Sequence, residues 1–158
     1  MRDELMGEVK TQGLESRVVF AGFQEDTQGY YAMADLFVLP SYEEGMSNAL
    51  LEAMASGLAV VATDVGAARE MLGDGYDLAK PRDAQGFRTQ IEGHLHRLLD
   101  GQEVGQALQK RCEELFSMPA VAKKYVSLYR ELGKTTNISS IPSTVQAAGH
   151  AIGTFWSH

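Results

Sequence analysis

A chain of 158 residues is about one domain long, and a compact fold of that size buries roughly 70% of its unfolded surface. Hydrophobic residues at 44% and charged residues at 22% exclude wholesale disorder, and no apolar run approaches the roughly 18 residues of a membrane span. The net charge of −7 argues against nucleic acid as a partner, since such binders carry a basic excess, while leaving room for a local basic pocket.

The start, Met1-Arg2-Asp3-Glu4, is charged and lacks the apolar core of a secretory signal. Glu4 to Gln12 reads as a helix ended by Gly13. Three continuous apolar runs follow: Val18-Val19-Phe20-Ala21, Leu36-Phe37-Val38-Leu39 and Leu58-Ala59-Val60-Val61-Ala62. Unbroken runs of this length predict strands buried on both faces, as in a parallel sheet. Between them lie helical patterns: Asp26 to Ala34 with Asp26 as N-cap, Asn48 to Ser56 ended by Gly57, and a short one from Ala67 to Leu72. A weaker fourth strand is expected near Tyr76 to Ala79. The alternation predicts an α/β fold, a parallel sheet flanked by helices.

The second half is helical. Phe87, Ile91, Leu95 and Leu98 recur at helical spacing, as do Val104, Leu108, Cys112 and Leu115, and then Val121, Tyr125, Leu128 and Leu132. Residues 133–158 read as a loose tail. The single Cys112 cannot form an internal disulfide, which fits a reducing cytoplasm.

The most informative stretch runs from Pro40 to Gly57. A helix from Asn48 places Leu50, Leu51, Met54 and Ala55 on one face and Asn48, Glu52 and Ser56 on the other. Glu52 thus lies one turn inside a helix that follows a glycine loop. The backbone amides of Met46 to Leu50 and the positive end of the helix would attract an anion. Gly45 would allow close approach of backbone. Glu44 and Glu52 could each accept hydrogen bonds from neighbouring hydroxyls, and the loop sits at the carboxyl end of a strand, where doubly wound sheets bind ligands. A solvated loop and a capped helix would explain the same residues, so pattern alone leaves a phosphate-sugar site as one of two readings.

The stretch resembles the donor-binding signature of the retaining glycosyltransferase family 4 (group 1), which has the GT-B architecture. Glu44 and Glu52 match the family's two glutamates separated by seven residues. The similarity includes Val19-Phe20-Ala21-Gly22, Tyr31 through Ser41 and Gly57 through Gly66, and covers roughly residues 1–132, with Phe116 through Arg130 resembling the terminal helix. The resemblance implies a nucleotide-sugar-binding Rossmann-like domain over 1–132, the C-terminal half of a GT-B fold. Glu44, the candidate catalytic residue, would hold hydroxyls of the transferred sugar, and Glu52 the ribose hydroxyls. Gly45, Met46, Ser47 and Asn48, with Ala49 and Leu50 behind them, would face the sugar and diphosphate. Gly22 and Phe23 would border the nucleobase. Glu-Gly-Met-Ser-Asn is similar to transferases of bacterial exopolysaccharide assembly, which favours a UDP-sugar donor and no obligatory metal or other cofactor. Where the family has proline, this chain has Ala59, a departure expected to touch the fold more than the chemistry.

The family's basic pair and its N-terminal acceptor domain have no counterpart in the sequence. Helix-terminus electrostatics contribute about 0.3–2 kcal/mol, whereas enzymes lower barriers by about 8 kcal/mol or more. The chain alone is therefore expected to bind donor and to be inactive or nearly so. Its expected partners are the nucleotide-sugar and an N-terminal Rossmann domain, or a separate chain in its place. Its expected location is the cytoplasm, with peripheral association of the complete enzyme at the inner face of the membrane left open. The alternative is a non-catalytic nucleotide-sugar-binding subunit that pairs with a separate acceptor-binding chain. A Rossmann-like signalling module without a sugar ligand is a third reading.

Other signals carry less. Gly133-Lys134-Thr135-Thr136 imitates a P-loop end, but Leu128 stands where its first glycine is required. Gly73-Asp74-Gly75 reads as a turn, and His94 and His96 diverge on a helix. Cys112 fits a core stripe, and Glu43 a solvated charge. Tyr30-Tyr31 fits helix packing. Asp64 keeps a candidate role at the ligand edge. Asn137-Ile138-Ser139 matches a glycosylation acceptor that needs a secretory context.

Overall fold

The computed structural model describes residues 2–102 and 104–135. Nine elements follow one another among them: α1 (Arg2–Thr11), α2 (Gln28–Met33), β1 (Leu36–Leu39), α3 (Asn48–Ala55), β2 (Ala59–Ala62), α4 (Ala68–Leu72), α5 (Ala84–Leu99), α6 (Gln106–Phe116) and α7 (Met118–Thr135). β1 and β2 pair in parallel, from Leu36 opposite Ala59 to Leu39 opposite Ala62, with α3 as the crossover that a parallel pair requires. The expected α/β class is observed.

β2 is buried at every position. Its side chains alternate between faces. Val60 and Ala62 join a core with Leu50, Ala53 and Met54 of α3, Met71 and Leu72 of α4, and Leu108 and Cys112 of α6. Ala59 and Val61 face the other way, and α5 packs against β2 and β1. α6 is fixed by side chains that satisfy helix-end carbonyls. Gln109 Nε2 donates to Ala55 O at 3.0 Å, and Arg111 donates to Met71 O at 2.8 Å and Glu70 O at 2.9 Å.

α3 is specified locally. The Ser47 hydroxyl accepts from Leu50 N at 3.4 Å to start it. Gly57, at φ +73, ends it, its amide bonding Met54 O at 3.0 Å. The buried stripe is Leu50, Ala53 and Met54. Ala55, expected on that face, is exposed instead, because one further residue turns it about 100° away from Met54.

Several expectations are corrected. Val18 to Ala21 is not a strand: no ladder partner lies beside it among the described residues, and Val19 is 86% exposed. β1 is half-buried rather than buried on both faces, with Val38 43% exposed. The fourth strand shrinks to one bridge, Thr63 with Ala79, and beside it the half-buried Tyr76 donates its hydroxyl to Val60 O at 2.6 Å. The three helices of the second half are present as α5, α6 and α7. α7 continues to Thr135, past the expected tail boundary at 133. The remaining tail, with its glycosylation-like triplet, lies outside the described residues. No helix among the described residues is long and apolar enough to cross a membrane.

Candidate functional site

The loop from Pro40 to Ser47 joins β1 to α3 and is clamped from β2. Thr63 Oγ1 lies 2.6 Å from Ser41 O and 3.3 Å from Leu39 O, so its one proton goes to the nearer carbonyl. Ala67 N donates to Gly45 O at 2.9 Å. Gly66, at φ +53, lies under the loop: a Cβ there would sit 2.2 Å from Glu44 O and 2.4 Å from Gly45 O. Only glycine tolerates both that conformation and that approach. The sequence pattern singles out neither Thr63 nor Gly66; the signal that could have found them is their place just after a buried strand at the ligand edge.

The clamped loop holds Glu44 half-buried, with Oε1 accepting from Ser41 Oγ at 2.8 Å. Gly45, Met46 and Asn48 are exposed. The first amides of α3 lack intrahelical partners by geometry. Leu50 is the exception and a correction: its amide is taken by the Ser47 cap and its side chain is fully buried. The set of amides free to meet an anion, if one binds as the sequence suggests, therefore narrows to Met46, Ser47, Asn48 and Ala49.

Glu52 stands exposed one turn along α3. Its Oε2 accepts from Thr27 Oγ1 at 3.2 Å. Tyr31 Oη lies 3.4 Å from Ala49 O and beside the Glu52 carboxylate, the stronger acceptor for its one proton. Burial first, then the hydrogen bond and charge of Glu52, push the Tyr31 phenol up to about 12. Tyr31 also packs on Phe37, with ring centroids 6.0 Å apart, so the helix-packing expectation is half of its role.

Glu52 shares a 330 Å³ open pocket with Glu25, Asp26, Thr27, Gln28 and Tyr31. Three carboxylates and no cation line it, so it suits neutral hydroxyl donors rather than phosphate. On its other side Glu52 borders a 480 Å³ groove between α3 and α6, walled by Leu51, Ala55, Cys112 and Phe116. Glu44 instead lines a crevice too narrow to admit a water, with Gly45, Ser47 and Val65. The two glutamates thus flank the α3 N-terminus without sharing a cavity. Gly22 and Phe23 do not line the Glu52 pocket; residues 25–28 do. Phe23 is 87% exposed.

Asp64 is paired with Arg69, which accounts for its charge. His94 is buried and His96 exposed, so they do diverge. Among the described residues no group of three or more His, Cys, Asp or Glu side chains is placed to hold a metal.

The family model described as "Glycosyl transferases group 1" matches residues 1–97. The chain belongs to that family. Among its glycosyltransferase relatives is the lipopolysaccharide core biosynthesis glycosyltransferase LpsE of Rhizobium meliloti, 32% identical over 133 residues, 80% of this chain and 38% of that protein. Among solved structures, sucrose-phosphate synthase from Thermosynechococcus elongatus aligns with a TM-score of 0.71 and 30% identity, over 85% of this chain and 35% of that one. HepE of Anabaena, solved in complex with UDP, aligns with a TM-score of 0.73 and 25% identity, over 82% and 36%. The glycosyltransferase fold is therefore shared, and the chain spans little more than a third of the length of these three proteins.

Proposed function

We propose that this glycosyltransferase chain binds a nucleotide-sugar, with UDP-sugar as the favoured donor, for retaining transfer in the synthesis of a bacterial polysaccharide or other glycan. The observation that carries the reading is the clamped Ser41–Ser47 loop, which delivers Glu44 and the α3 N-terminus together, with Glu52 one turn further on a hydroxyl-accepting pocket. In this assignment Glu52 takes the ribose hydroxyls, with Thr27 orienting its carboxylate. The amides of Met46 to Ala49 take the diphosphate. Glu44, oriented by Ser41, takes hydroxyls of the transferred sugar.

The relatives' names and the UDP in HepE support a nucleotide-sugar ligand. Chemistry then needs an acceptor site and closure that excludes water, which the residues described do not provide. Full activity belongs to an assembly with an acceptor-binding domain, whether joined to this chain or separate. Calorimetric titration with UDP, GDP and UDP-sugars tests the reading. UDP should bind more tightly than GDP; a folded chain that binds neither nucleotide contradicts it.

A further inference from the structure

The Pro40–Ser47 loop has a second side, turned away from Glu52. There Tyr42 lies under Arg82, whose guanidinium carbon sits 5.7 Å from the ring centroid. Lys80, Arg82 and Arg88 line one 250 Å³ pocket at the carboxyl end of the sheet. That is several times the ~30 Å³ of a water molecule. In a chain of net charge −7, three cations converge here against a single acid, Asp83. The Asp83 carboxylate is turned into α5, accepting from Gly86 N at 2.9 Å. Arg88 pairs with Glu92, but neither Lys80 nor Arg82 has an ion pair among the described residues. Phe87 and Ile91 form an apolar wall.

Arg82 also has an unusual backbone. It is the one non-glycine residue with positive φ, +66, among those described. A left-handed arginine is strained where glycine would be at ease. That strain, a cation–π contact and a shared pocket with two further cations occur at one position.

We propose that this pocket binds a phosphate or diphosphate group of a second ligand, distinct from the nucleotide-sugar, with the ligand's apolar part against Phe87 and Ile91. Lys80 and Arg82 supply the charge. The planar guanidinium offers a fork of donors matched to phosphate oxygens, and Tyr42 holds it from below. Because Tyr42 belongs to the same loop as Glu44, the two ligands would lie on opposite sides of one clamped segment. The phosphate could come from a soluble phosphorylated compound or from a lipid headgroup.

The test is titration of the 158-residue chain with inorganic pyrophosphate, followed by backbone amide NMR, beside Arg82→Gly and Lys80→Gln. Arg82→Gly suits the left-handed backbone and removes the exposed side chain with its cation and its Tyr42 contact, so the variant should stay folded. The chain should show shifts at Tyr42 and residues 80–84, and both variants should bind there at least about tenfold more weakly. Shifts confined to residues 45–49, or binding at residues 80–84 unchanged in both variants, would overturn the proposal. Co-sedimentation with phosphatidylcholine vesicles, with and without phosphatidylglycerol, separates the sources. Pelleting that needs both phosphatidylglycerol and Arg82 assigns the phosphate to a lipid. Pyrophosphate binding without pelleting assigns it to a soluble ligand.

Discussion

At the residue scale the nucleotide-sugar site depends on two positions that hold its loop in place and are assigned no contact with the donor. Thr63 is buried, and its hydroxyl satisfies the Ser41 carbonyl. Thr63→Val keeps the shape and leaves that carbonyl unpaired, which costs about 1–3 kcal/mol. The expected result is a lower urea midpoint with an unchanged slope. Gly66→Ala forces a Cβ against Glu44 O, and a left-handed alanine alone costs about 1–2 kcal/mol. It should therefore both destabilise the chain and displace Glu44. The glutamates themselves should separate by ligand. Glu44→Ala should leave the affinity for UDP unchanged and weaken that for a UDP-sugar, read by parallel calorimetric titrations. Equal losses for both ligands would place Glu44 on the nucleotide instead.

At the scale of elements, α5 carries a titratable group into the interior. His94 is buried and stacks on Tyr76, with ring centroids 6.2 Å apart. Its Nδ1 has no hydrogen-bond partner among the described residues. Burial chiefly, with help from Arg97 and against the pull of Asp77, holds its pKa below the usual 6.5. Below pH 6.5 the unfolded chain therefore binds a proton that the folded chain resists. The stabilisation is complete above that pH and is lost as pH falls through the folded value. The thermal midpoint should drop as pH goes from 7.5 toward 5.5, before most carboxylates titrate. His94→Phe keeps the stacking and should flatten that limb. A parallel drop in the variant would assign the loss to other groups.

At the scale of the whole molecule, the sequence is most readable where local chemistry and tertiary packing agree. α3 is the clearest case: its start at Asn48, its buried Leu50 and Met54 and its terminal Gly57 appear in the structure within a residue of where they read. β2 is equally legible because every position is buried. Val18 to Ala21 shows the converse. Its composition is that of a strand, but strand structure requires a hydrogen-bonding neighbour, and composition does not say whether one is present. The same holds within the candidate site. Glu44 and Glu52 stand out as candidates through the family resemblance of one continuous stretch, whereas Thr27, Tyr31, Thr63 and Gly66 reach their places from separate segments, and only folding brings them together. Leu50 is misplaced for a related reason, since the cap that starts the helix consumes the amide assigned to the ligand.

The central claim is that Glu52 is the anchor for the nucleoside hydroxyls. Its most direct test is calorimetric titration of UDP into the chain and into Glu52→Ala. Glu52 is exposed, so the substitution should leave the fold intact, as circular dichroism can verify. A hydrogen bond to a charged group contributes about 1.5–3 kcal/mol, so the variant should bind UDP roughly 10–100-fold more weakly. Equal affinity in the two proteins would contradict the account and place the nucleotide elsewhere.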